Sequence, residues 1–157
     1  MILIKWKVLL IEIVSVAFLF LFVYAAFSKL SDIEKFRVQL GKSPILNAFV
    51  GIVVYIVPMV EILLAVMLCF KRSRLIAIYG AYTLMLCFSI YIIYILKYSP
   101  YIPCSCGGIL ENMSWRQHLV FNIGFVFVSI VGILMYPTNK EFIDVLSIKG
   151  EAENFKE

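Results

Sequence analysis

Charge is scarce in this chain. Only 15% of its 157 residues are Asp, Glu, Lys or Arg, where a soluble domain carries about a quarter. That shortage excludes an ordinary soluble domain, and a 63% share of hydrophobic residues points the same way. The net charge of +4 comes without a basic stripe on a soluble face. Nucleic-acid binding is therefore a poor reading, and loop lysines and arginines at lipid headgroups are the better one. Histidine occurs once and cysteine four times. The Cys-x-x-Cys-His signature of haem attachment is absent. So is a second exposed Cys pair that could relay electrons across a membrane.

Long apolar runs fill the space that charge leaves. A bilayer core of about 30 Å needs about twenty apolar residues as a helix. Four runs qualify, at about 8–27, 45–70, 75–96 and 119–136. No soluble domain is left over, so the chain reads as one transmembrane domain over 1–157 with a polar tail at 137–157. Short connections make neighbouring helices antiparallel, giving an all-α, up-down four-helix bundle. Lys5 and Lys7 before the first run resemble the start of a signal peptide, but the run is too long for an h-region and three more spans follow. Between the first two spans, Phe27, Leu30, Ile33, Phe36 and Leu40 recur at helical spacing among charges. That pattern predicts a short amphipathic helix at the membrane interface, ended by Gly41 and Pro44. A lid over a neighbouring loop is the sharper reading of the same segment.

Loop charges set the expected orientation. The tight turn Lys71-Arg72-Ser73-Arg74 is short and purely basic, and such turns stay in the cytoplasm. Both termini then lie inside. Lys29, Lys35, Arg37, Lys42, Lys97 and Arg116 fall on the outer, periplasmic side of a bacterial inner membrane.

One polar gap on that outer side carries chemistry. Pro103-Cys104-Ser105-Cys106-Gly107-Gly108 puts two thiols two residues apart. A disulfide between them requires a bent chain, which the two glycines permit and Pro103 helps to set. The ring is small, and strained, exposed disulfides are the exchangeable ones. The periplasm also permits disulfides. Cu(I) or another soft metal is the competing chemistry of two thiolates. Zinc would need two more ligands, and only Glu111 and His118 are near in sequence. Cys69 and Cys87 lie in apolar runs and read as small hydrophobes.

The segment after the thiols supplies cations and a helix start. Ser114 and Gln117 match a capping box. Arg116 and His118 put a cation and a proton-accepting ring near the loop, where both could raise the thiolate fraction. Headgroup contact for Arg116 and an ordinary hydrogen bond for His118 are the bland alternatives. Within the spans, Glu12 and Glu61 are expensive, at about 2.5–3.5 kcal/mol each. Glu61 follows Pro58 by one helical turn, where a kink can open a polar cavity. It reads as a proton carrier or a partner for a small cofactor, against an interhelical hydrogen bond. Glu12 near a helix end reads as snorkelling, and Asn122 as interhelical glue. Tyr55, Tyr79, Tyr82, Tyr91 and Tyr94 could line a quinone pocket, although tyrosines also serve as packing and interface anchors.

Taken in order, Phe27-Ser28-Lys29-Leu30, Ser43-Pro44, Pro58-Met59-Val60-Glu61, Cys104-Ser105-Cys106-Gly107, Ser114-Trp115 and Asn122 resemble the MauE/DoxX group of small four-helix bacterial membrane proteins. The resemblance covers roughly 8–136. It implies a thiol-disulfide role in the maturation of periplasmic proteins, and maturation of methylamine dehydrogenase is the association that named the family. The expected function is thus thiol-disulfide exchange with a periplasmic protein, with Cys104 and Cys106 as reacting groups and Glu61, His118 and Arg116 in support. The expected partners are the lipid bilayer and a periplasmic thiol or disulfide protein. A quinone is the one cofactor the chemistry suggests, as an electron acceptor. Two alternatives stay open. One is a non-enzymatic anchor or assembly subunit, docking through 30–40 and the tail. The other is soft-metal handling by the same thiols.

Overall fold

A computed structural model describes residues 2–43, 45–98 and 114–136, with side chains from residue 6 onward. Cys104, Cys106 and the tail at 137–157 lie outside the described residues. The described chain is helical throughout. Helix α1 spans Ile2–Ser31, α2 Ile33–Gly41, α3 Val50–Cys69, α4 Arg74–Tyr98 and α5 Trp115–Leu134, with a single 3-10 turn at Asn47–Phe49 before α3. Four of these are long and apolar enough to cross a membrane: Trp6–Ser31, Asn47–Cys69, Arg74–Tyr98 and Trp115–Leu134. The result is the helical membrane bundle that the hydropathy pattern predicts.

The bundle is apolar on the outside as well as the inside. Phe20, Val120 and Leu134 are 71%, 70% and 77% exposed. Side chains like these on every long helix suit a chain whose solvent is hydrocarbon. Inside, Phe18 and Phe22 on α1 are fully buried, and Phe18 meets Phe125 of α5 edge to face at 5.2 Å. Around them pack Ile11, Val14, Leu64, Ala65, Leu68, Ala77, Ile78 and Ala81. These residues come from the first part of α1, the end of α3 and the start of α4. One half of the bundle, the end carrying the 70–74 turn, is therefore dry and close-packed.

That turn is held by its own side chains. The Ser73 hydroxyl donates to the Met67 carbonyl at 2.8 Å and Arg74 Nε donates to the Leu68 carbonyl at 3.4 Å. Both satisfy orphan carbonyls at the end of α3. Tyr136, just past α5, donates its hydroxyl to the Lys71 carbonyl at 3.4 Å, so the end of α5 sits beside the turn.

Small residues let the helices approach. A Cβ placed on Gly132 of α5 would stand 3.1 Å from Val14 Cγ1 and 3.6 Å from Ile78 Cγ2. Gly124, two turns earlier, has open space around it. Gly132→Leu is expected to overpack the seam at a cost of about 1–3 kcal/mol, lowering the melting temperature of detergent-purified protein by roughly 5 °C. Gly124→Leu is expected to melt with the parent. Equal melting of the two variants would contradict the packing of α5 against α1.

The expected amphipathic segment is divided: Phe27 and Leu30 still belong to α1, and Ile33, Phe36 and Leu40 form α2, which follows after a one-residue break. Asp32 caps it by accepting from the Lys35 amide at 3.0 Å. Phe36 and Leu40 are buried against Val54 near the start of α3. One apolar face of α2 is thus spent on the bundle itself.

Candidate functional site

The other half of the bundle is hollow. A cavity of about 310 Å³ lies among the second half of α1, α2, the start of α3, the second half of α4 and the start of α5. Its walls are mostly apolar and aromatic, including Phe36, Phe88, Tyr91, Trp115 and Phe121. Cys87 belongs to the wall and is also exposed, so the space reaches the outer surface of α4. The helices pack mainly as two pairs, α1 with α3 and α4 with α5, and both pairs contribute to the cavity wall.

Register brings a few polar groups into this apolar space. On α3, Val54, Pro58, Glu61, Leu64 and Leu68 share the buried stripe. Glu61 therefore points inward and is 1% exposed. On α1, Phe18, Phe22 and Ala26 form the inward stripe, and Lys29 continues it one turn on. The Lys29 ammonium donates to Glu61 Oε1 at 2.7 Å and to the Ala25 carbonyl at 3.2 Å, and it stands 5.9 Å over the ring of Phe36. The side chain of Lys29 is 16% exposed. A carboxylate and an ammonium at this depth are each costly alone, and each removes most of the other's cost.

Besides Arg37 Nε on α2, two buried side-chain polar atoms have no hydrogen-bond partner among the described residues. They are Glu61 Oε2 and Asn122 Nδ2, and both residues line the cavity. Asn122 is 3% exposed. The interhelical glue expected of Asn122 is thus not what its amide nitrogen provides here. The residue lines the cavity, and that nitrogen is left buried without a partner among the described residues.

The start of α5 carries the remaining candidates. Ser114 and Gln117 make the expected capping box. Ser114 Oγ accepts from the Gln117 amide at 3.4 Å, and Gln117 Oε1 accepts from the Ser114 amide at 2.8 Å. The cap fixes where α5 begins and so which way its first turn faces. His118 lines the cavity, stacked with Trp115 at 6.4 Å between ring centroids. Arg116 is exposed and is not part of the cavity wall. Glu12 is exposed on α1, away from this space.

Of the residues singled out from sequence, Glu61 and His118 therefore line one cavity, while Arg116 stands apart. Cys104 and Cys106 lie outside the described residues, between Tyr98 and Ser114. Lys29 has a place that loop counting missed. It is not an outer-loop charge, because α1 continues through it to Ser31, and it neutralises Glu61. The signal available in sequence was its spacing from Phe18, Phe22 and Ala26, which continues the inward stripe.

A family model described as Methylamine utilisation protein MauE matches residues 7–135. The match takes in most of α1 and all the helices that follow, and the chain belongs to the MauE family. No curated protein and no solved structure matches the chain. Four membrane-length apolar helices and this family make it a multi-pass membrane protein of a family described by methylamine utilisation.

Proposed function

We propose that this member of the MauE family is a thiol-disulfide redox protein of the bacterial inner membrane that acts on periplasmic proteins through Cys104 and Cys106. The observation that carries the reading is the Cys-x-Cys pair itself, in the connection between membrane-length helices α4 and α5. That connection leaves α4 and enters α5 at the end of the bundle where the cavity, Glu61 and His118 lie. In the reaction, a thiolate of a partner attacks one sulfur of the Cys104-Cys106 disulfide. A mixed disulfide forms, and the other cysteine leaves as a thiolate. A second partner thiolate then attacks the mixed bond. The partner leaves as a disulfide and this chain as a dithiol; the reverse sequence reduces a partner. The family's association with methylamine utilisation makes a periplasmic protein of that process the natural substrate class.

The basic turn at 71–74 supports an orientation with this turn in the cytoplasm and the thiols outside. In intact cells, a membrane-impermeant maleimide is expected to label reduced Cys104 or Cys106 in a chain lacking Cys69 and Cys87. Labelling only after the inner face is opened would reject the orientation.

The decisive experiment is capture. A resolving cysteine removes a mixed disulfide, so Cys104→Ser or Cys106→Ser should trap one. One of these variants is expected to yield a reductant-sensitive adduct with a periplasmic protein, and the double variant none. Adducts absent from both single variants, with the protein present in the membrane, would favour an anchor or assembly subunit.

A further inference from the structure

The cavity is a binding site in its own right, and its chemistry narrows the ligand. Its polar lining includes a compensated ion pair, Lys29 with Glu61, the unpartnered buried atoms Glu61 Oε2 and Asn122 Nδ2, and the side chains of Ser28, Gln39, Tyr91 and His118. Leaving Glu61 Oε2 and Asn122 Nδ2 unpaired in an apolar setting is costly, because each has given up its water without a replacement. An acyl chain alone would leave both unpaired. An anionic lipid headgroup would meet an ammonium already neutralised by Glu61 and would face that carboxylate as well. A neutral ring carrying hydroxyl or carbonyl oxygens meets the requirements. One ring oxygen accepts from the Asn122 amide, and a ring hydroxyl donates to Glu61 Oε2. Aromatic walls at Phe88, Trp115 and Phe121 suit a flat ring. The volume of about 310 Å³ suits a head rather than a whole lipid. The exposed wall at Cys87 gives an apolar tail a route into the bilayer.

We propose that this cavity binds the ring head of a membrane quinone or quinol, held by Asn122 and the Lys29–Glu61 pair. The described residues already supply the walls and polar groups of this site, so it is tested separately from the exchange reaction. The pairing of atoms also sets a preference. Of the two unpartnered atoms, the oxidised ring can satisfy Asn122 Nδ2 alone, whereas the reduced ring additionally gives a hydrogen to Glu61 Oε2, so the quinol form binds more tightly.

Trp115 lines the site and only one other tryptophan, Trp6, is present. The test therefore uses the full chain carrying Trp6→Phe, Cys104→Ser and Cys106→Ser, in nanodiscs of uncharged phosphatidylcholine. Decylubiquinone is titrated against Trp115 emission. Saturable quenching at one site per chain is expected, with decylubiquinol displacing the probe. Ala25→Phe, which fills the cavity from α1, is expected to abolish saturation. Asn122→Leu is expected to weaken binding by roughly threefold to tenfold, the worth of one hydrogen bond. Phe127→Leu, at an exposed position, is expected to match the parent. Linear quenching identical in all variants would mean partitioning into lipid only and would overturn the site. Saturable quenching undiminished by Ala25→Phe would overturn it equally, and it decides the matter even if Asn122→Leu fails to insert. Loss of this binding beside intact disulfide exchange in the cysteine-bearing protein would remove the quinone site and leave the thiol reading standing.

Discussion

Glu61→Leu is expected to be the most damaging single change within the described bundle. It leaves the Lys29 ammonium at the end of α1 with the Ala25 carbonyl and the Phe36 ring as its partners among the described residues. Removing one partner of a buried pair costs about 3–5 kcal/mol. In a bundle of this size that corresponds to a fall in melting temperature on the order of 10 °C, with less folded protein recovered from membranes. Glu61→Gln keeps an acceptor for Lys29 and loses only the charge, so an intermediate loss is expected. Adding Lys29→Met to Glu61→Leu removes the stranded cation and should restore most of the stability, because two apolar residues replace a pair of similar volume. Thermal melts of the four proteins in one detergent make the check. A double variant as unstable as Glu61→Leu would mean that the two residues act independently and that the 2.7 Å contact contributes little.

The second large effect concerns redox state. A reversible two-electron transition is expected for the purified chain, and Cys104→Ser should abolish it completely. Only Ser105 separates the two cysteines, so the ring closed by a disulfide is small. A strained, exposed bond has a more oxidising potential than a structural staple, which lies below about −300 mV. A titration against glutathione or dithiothreitol, read by thiol alkylation and mass shift, should therefore place the midpoint above that value. A bond that survives excess reductant would sink the exchange reaction. Stoichiometric bound metal without a redox transition would do so as well, in favour of soft-metal handling by the same thiols.

The fold was largely legible in the sequence because its main signal is additive. Twenty apolar residues predict a span whatever they pack against, and the four long helices follow the four runs. Their ends were less legible, for local reasons. Hydropathy starts the fourth span at 119, whereas the Ser114–Gln117 cap starts α5 at Trp115. It starts the second span at 45, whereas a 3-10 turn delays α3 to Val50. Lys29 ends the apolar run yet continues the helix, since a charged residue with a buried partner does not stop one.

The candidate site was legible only where one residue broke a local rule. Glu61 stood out as a carboxylate at membrane depth one turn beyond Pro58. Its counter-charge lies 32 positions away, and nothing local in the sequence pairs them. Asn122 was visible as a polar residue in an apolar span, but whether its amide meets a helix or a cavity depends on how the helices pack. Gly132 likewise gains meaning only once Val14 and Ile78 are seen to close on it.

The Lys29–Glu61 contact has a consequence for biogenesis. A ribosome makes α1 first, and Lys29 at its end can reach the aqueous interface while it waits. Glu61 arrives later, in the middle of its own span, where no interface is within reach. Its entry into lipid costs about 2.5–3.5 kcal/mol unless a cation is already there. The order of synthesis supplies that cation in advance. The dependence is one-way: the first span can enter the bilayer without the second, but the second enters cheaply only beside the first. The α1–α3 hairpin is therefore the smallest piece of this protein in which Glu61 already has its counter-charge.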